Sequence, residues 1–252
     1  MQDAVRRAIE TMWKHYGEPI SLGDLADAAI LSRFYFSRVF RQMTGTSPGR
    51  FLSVIRLHQA KGLLRESEAS VTEISYQVGY NSPGTFTTRF TRSVGMSPSR
   101  YRDCTRLEDF GPLPLPVLPG PDPRRGTVAG TVRCSEVVPL GNLYVSAFGG
   151  PIPEGMPVSC DVLGPDRQDF ELHGLPEGTW YIRAAALDGS GRADGSRPRL
   201  LVGTGPAVTA RCGRVTELDL TLRPSSVFDL PMLFALPELD GREGRRVMAE
   251  AC

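Results

Sequence analysis

The sequence predicts a multidomain chain of mixed class, an all-α N-terminal domain followed by an antiparallel β-sandwich of about seven strands. Three observations carry that prediction. One helical unit is written twice: TGTSPGRF, Thr44 to Phe51, returns fifty positions on as VGMSPSRY, Val94 to Tyr101. A proline-rich stretch, GPLPLPVLPGPDPRRG, residues 111–126, then interrupts the chain with six prolines in sixteen residues. Beyond it the apolar residues change from helical spacing to short runs such as LYVSAFGG and GTWYIRAAALDG, bounded by Gly, Pro or Asp. The boundaries that follow are 1–106 for the helical domain, 107–126 for the linker, 127–223 for the sandwich and 224–252 for a tail with an apolar front half.

The opening segment, MQDAVRRAIETMWKHYG, breaks its apolar residues with charges, so it reads as neither signal peptide nor membrane span. Ser21 and Ser70 each precede an acid by three residues, Asp24 and Glu73. Such a serine accepts an amide hydrogen bond, and the acid suits the positive end of a helix. A short helix follows in both places, with Leu22, Leu25 and Ala29, or Val71, Ile74 and Val78, on its inner face. Gly79 permits a tight turn after the second. Ser32 and Ser82 open the next helices, the latter with Pro83 in the first turn. Phe36, Val39, Phe40 and Met43, and in the second copy Phe86, Phe90 and Val94, form inward stripes. Ser47-Pro48 and Ser97-Pro98 start further helices. Solenoid arrays need three or more repeats to bury a continuous core, so two copies point to a pair of modules.

Charge divides along the same boundary. Residues 1–106 hold 15 Lys and Arg against 9 Asp and Glu, and residues 107–252 hold 14 against 19. The net of +6 beside −5 points to a polyanionic partner for the first domain alone. Five scattered cysteines, Cys104, Cys134, Cys160, Cys212 and Cys252, form no C-x-x-C pair and read as reduced thiols of a cytoplasmic protein. The expectation is no membrane partner, no metal and no cofactor.

Helix, tight turn and arginine-bearing second helix, twice over in a basic domain, is the pattern of a double helix-turn-helix. The stretch VTEISYQVGYNSPGTFTTRFTRSVGMSPSRYR, Val71 to Arg102, resembles the DNA-binding signature of the AraC/XylS family of bacterial transcription regulators. IRLHQAKGLLRES, Ile55 to Ser67, is similar to that family's connecting helix. The resemblance covers residues 2–103. It implies seven helices, two recognition helices in adjacent major grooves of promoter DNA, and a cytoplasmic regulator, with activation through RNA polymerase the expected mode. By position it gives base-facing roles to Phe34, Ser37 and Arg38 in the first copy and Gly84, Thr87 and Thr88 in the second. Arginine can bond guanine O6 and N7 together, which singles out Arg38 and then Arg33 as the strongest readers. Arg41, Arg50, Arg89, Arg92, Arg100 and Arg102 are expected on phosphates, where they position without reading. The second copy lacks a long basic reader, so the first half-site is expected to be the stricter. Ile30-Leu31 stands in the first turn where the family often has a small residue or glycine.

FELHGLPEGTWYIRAAALDG, Phe170 to Gly189, resembles the carboxypeptidase-regulatory-like or prealbumin-like sandwich modules, a resemblance of fold that leaves effector sensing, dimerisation and docking all open. Trp180, Tyr181, Tyr144 and Phe148 are read as core before pocket. The segment FDLPMLFALPEL, Phe228 to Leu239, is expected to pack on the chain itself. Two modules in one chain can fill two grooves, so a monomer suffices and a homodimer is allowed. No enzyme is expected. The histidines at 15, 58 and 173 adjoin no nucleophile motif. DGSGRADG, Asp188 to Gly195, puts Arg192 at a calcium-ligand position, and Gly203 and Gly205 lack a third glycine. The alternative is an interaction protein whose sandwich binds a carbohydrate or protein while the basic half tethers it to DNA without reading sequence.

Overall fold

The computed structural model describes residues 1–106, 122–136, 138–188 and 199–233. The chain divides into two compact units, Met1–Gly111 with Ser226–Cys252, and Pro112–Ser225.

The first unit is helical: α1 (Gln2–His15), α2 (Leu22–Ala29), α3 (Arg33–Thr44), α4 (Pro48–Glu66), α5 (Val71–Gln77), α6 (Pro83–Val94) and α7 (Pro98–Arg106). Capping starts these helices as the sequence expects. Ser21 and Asp24 form a reciprocal capping box on α2, and Ser70 with Glu73 does the same on α5. Both carboxyls are held below the usual range, chiefly by the serine amides that donate to them. Ser32, Ser47 and Ser82 cap α3, α4 and α6. Left-handed Gly45 and Gly95 end the two copies of the second helix.

Duplication extends to the packing. Phe36, Phe40 and Phe51 stack edge to face at 5.4 Å per step. Phe86, Phe90 and Tyr101 repeat the ladder at 5.5 and 5.8 Å. All six rings are fully buried, and such pairs contribute about 0.5–1.5 kcal/mol beyond their area. Helix α4 serves both copies. Phe51, Leu52 and Ile55 enter the core built by α1, α2 and α3, and the same helix packs on α5 and α7. That double duty explains why α4 is buried around most of its circumference.

The first turn carries a strain that the second does not. Ile30 ends α2 in the left-handed region, φ 58°, with its side chain 79% exposed. A β-branched residue pays for that conformation and here buries little in return. Ile30→Gly is expected to raise the stability of the helical unit by about 1 kcal/mol, read from chemical denaturation.

The second unit holds eight described strands: β1 (Gly126–Cys134), β2 (Leu140–Phe148), β3 (Ser159–Leu163), β4 (Asp169–Leu175), β5 (Gly178–Asp188), β6 (Leu200–Ala210), β7 (Val215–Glu217) and β8 (Leu220–Pro224). They follow the order β3-β2-β5-β6-β8-β1-β4, with β7 beside β1. Most neighbours pair antiparallel, as the sequence leads one to expect, while β1 runs parallel to both β7 and β8. The two end strands nearly close the sheet. Asp161 of β3, 3% exposed, accepts the Glu171 amide of β4 at 3.0 Å and pairs with Arg167 at 2.9 Å. Val128, Val145, Phe170, Leu172, Ile182, Leu201 and Leu222 fill the interior.

The aromatic quartet sorts largely into core. Tyr144, Phe148 and Trp180 are buried and Tyr181 is half-buried. Trp180 donates its indole N–H to the Pro176 carbonyl and so pins the turn between β4 and β5. Gly203 and Gly205 lie within strand β6. The reading of 188–195 as a loop falls mostly outside the described residues; Asp188 itself is a buried carboxylate paired with Arg199.

Candidate nucleic-acid interface

A short helix, a turn and a second helix place α3 and α6 so that one face is sealed by phenylalanine and the other is left open. On α3, Phe36, Val39 and Phe40 point inward. Arg33, Phe34 and Arg38 are exposed and Ser37 is half-buried. Phe34 is 82% exposed, an apolar ring at the start of a helix with no core to fill. Arg38 lies with its guanidinium 5.1 Å from the Tyr35 ring centroid. That cation–π contact favours the rotamers that keep the guanidinium near the ring. Arg33 instead leans back over α2, where a Cβ on Gly23 would meet its Nη2 at 2.8 Å.

On α6, Gly84 and Thr88 are exposed and Thr87 is half-buried. A Cβ at Gly84 would meet nothing nearer than the Ser82 Oγ at 3.8 Å. Thr88 donates its hydroxyl to the Gly84 carbonyl at 2.9 Å. Its hydrogen is thus engaged by the helix backbone, which leaves the hydroxyl oxygen as an acceptor and the methyl for apolar contact.

The arginines expected on phosphates divide. Arg41, Arg92 and Arg100 are exposed, and Arg50 is half-buried. Arg89 is exposed and reaches Ser53 Oγ of α4 at 3.5 Å. Arg102 is half-buried, and its guanidinium donates to the carbonyls of Leu64 and Ala69. These bonds tie α7 to the end of α4.

Sequence reasoning missed the residue that joins the two copies. Arg56 of α4 donates to the Tyr16 carbonyl at 2.7 Å and the Glu18 carbonyl at 2.8 Å. The backbone around it is crowded. A Cβ on Gly17 would meet the Gln77 carbonyl oxygen at 2.5 Å, and one on Gly79 would meet the Tyr16 oxygen and Arg56 Nη2 at 2.9 Å each. Gly79 has φ 82°. The turn after α1 and the turn after α5 are therefore in direct contact, with Arg56 as the clasp. The only sequence signal was a pair of glycines sixty-two positions apart, and nothing in a linear pattern pairs them.

Beneath this surface His58 of α4 is buried edge-on against Trp13 at 5.7 Å. Burial, and then the nearby Lys61 and Arg65 charges, push its pKa down to about 3. The unfolded chain binds that proton near pH 6.5 and the folded one does not, so stability is full above that pH and falls as pH drops toward 3. The helical unit should lose about 2 kcal/mol between pH 6.5 and 5 from this group alone. His58→Gln should flatten that limb in denaturation curves taken across the range.

Known proteins match the same part of the chain in sequence. A family model described as a helix-turn-helix domain matches residues 25–103. An uncharacterised helix-turn-helix-type transcriptional regulator of Bacillus subtilis, YdeC, is 40% identical over 88 residues, 35% of this chain and 30% of that protein. The helix-turn-helix-type transcriptional activator RhaS of Escherichia coli is 39% identical over 88 residues, 35% of this chain and 32% of that one. The chain thus spans about a third of the length of these curated relatives. Among solved structures, the DNA-binding domain of the transcriptional factor AdpA in complex with target DNA is 33% identical over 42% of this chain and 95% of that chain, at a TM-score of 0.40. A regulator from Chromobacterium violaceum with an AraC-type DNA-binding domain is 26% identical over 42% of this chain and 96% of its own, at 0.39. Residues 25–103 of this protein match a helix-turn-helix domain, and the curated relatives that match over this part of the chain are helix-turn-helix-type transcription regulators.

Proposed function

We propose that this protein is a sequence-reading transcription regulator that lays α3 and α6 in successive major grooves of promoter DNA. One observation carries the reading. Two recognition helices, each with a sealed aromatic face and an open face, belong to helical copies that share a single helix, α4, whose Arg56 clasps the turn after α1. Arg38 and Phe34 read the first half-site, a guanine edge and a thymine methyl respectively. Ser37 and Arg33 flank them. Thr87, Thr88 and the bare Gly84 read the second half-site by methyl contact and close approach, so its sequence requirement is looser.

Arg41, Arg50, Arg89, Arg92 and Arg100 hold phosphates, and Arg102 is assigned to the scaffold. Activation through RNA polymerase is the mode in keeping with the named activator among the relatives. The β unit is the place for an effector or a second copy. The test is selection of a DNA site from random sequence followed by titration over a range of salt. A defined bipartite motif, sharper under α3, with affinity falling steeply as salt rises, supports the reading. Binding that is indifferent to sequence would leave non-specific tethering in its place.

A further inference from the structure

The chain leaves the helical unit after α7 and comes back to it after the β unit. Residues Ser226 to Leu233 form the described part of that return. Ser226 donates its amide and hydroxyl to the Asp229 carboxylate at 2.7 and 3.0 Å, and the Asp229 amide closes the turn on the Ser226 carbonyl. Val227, Phe228 and Leu230 then pack against the core of α1 to α4. Arg6 of α1 stands 5.4 Å over the Phe228 ring. Met232 and Leu233 are buried, Leu233 completely.

The far end of this segment meets the other copy. Lys61 of α4 is 1% exposed and donates its Nζ to the Met232 carbonyl at 3.3 Å. The same ammonium lies 5.8 Å over the ring of Tyr101, which closes the aromatic ladder of the second copy. A buried ammonium needs protein groups in place of its water, and here a carbonyl and a ring face are among them. Eight residues therefore touch α1 at one end and the α4–α7 junction at the other. Phe34, Arg38 and Thr88 stay exposed on the reading faces while the segment is seated.

We propose that residues 226–233 are a positioning strap for DNA reading. The strap fixes the angle between the two helix-turn-helix copies from behind and does not act as a lid over the recognition helices. The proposal rests on the DNA-reading function above. Its consequence is specific: the strap matters for DNA that engages both helices and not for DNA that engages one. A segment that only stabilised the fold would affect the two alike.

The experiment uses the full chain and its Leu233→Asp variant, which puts a charge into the strap's buried end, with Phe228→Ala as the milder second variant. Folding is checked by circular dichroism at the assay temperature. Each protein is titrated on the selected two-half-site DNA and on DNA keeping only the first half-site. The expected result is a loss of about tenfold or more on the double site against less than twofold on the single one. Equal losses on both, no loss, or tighter binding by the variant would each overturn the strap. Should the unaltered chain select no DNA site, the regulator reading fails by itself. The strap as a DNA-reading device falls with it, whereas a defined site with equal losses on both DNAs overturns the strap and leaves the regulator reading in place.

Discussion

Gly79→Val is expected to cost the helical unit about 3 kcal/mol and to weaken binding to a two-half-site DNA more than that loss of stability explains. Two penalties add. The residue sits at φ 82°, where a β-branched side chain is strained by about 1–2 kcal/mol. Its Cβ would also press on the Tyr16 carbonyl and on Arg56, both at 2.9 Å. Neither neighbour is free to yield, because Arg56 is what holds Tyr16 and Glu18 to α4. Relief comes only by parting the turn after α5 from the turn after α1, and that contact sets one helix-turn-helix copy against the other. Thermal denaturation reads the first effect. Titration on double and single half-sites at a temperature where the variant is folded reads the second. A variant as stable as the parent would remove the clasp from the account.

Arg38→Ala is expected to lower affinity for the selected site by about 10- to 100-fold, in keeping with 1–3 kcal/mol for a bidentate arginine–guanine pair. The loss should be confined to DNA that carries the preferred base under Arg38. On DNA altered at that base, parent and variant should bind alike, so specificity relaxes at one position. Arg41→Ala should instead weaken all sequences about equally and lower the salt slope by about one. The contrast separates reading from anchoring. Tyr35→Leu, which removes the ring under the Arg38 guanidinium, should reproduce a small part of the Arg38 effect. A uniform loss across sequences for Arg38→Ala would move it to the phosphate group.

Much of the helical unit was legible because its signals are local. Ser-x-x-Asp and Ser-x-x-Glu boxes, first-turn prolines and terminal glycines each act within one turn of chain, and the duplicated Phe spacing repeats the core in the same register. The long-range contacts were not legible. Arg102 has the composition of a phosphate ligand, yet its donors go to carbonyls 33 and 38 positions away in the chain. The Arg56 clasp depends on turns about sixty residues apart. Lys61 carries no local signal of burial, yet it is buried and donates to a carbonyl 171 positions on. In the β unit, strand positions followed from Val, Thr and aromatic runs. The parallel pairing of β1 with β7 and β8 did not, since alternation marks a strand's faces and not its neighbours.

Half-site spacing decides whether one chain reads two successive major grooves on one face of DNA. The full chain is titrated on the selected site and on the same site with half a helical turn, about 5 base pairs, inserted between its halves. The insertion is expected to reduce affinity to that of the first half-site alone, and a full-turn insertion is expected not to restore it, because α4 has a fixed length. Equal affinity for all spacings would contradict the claim.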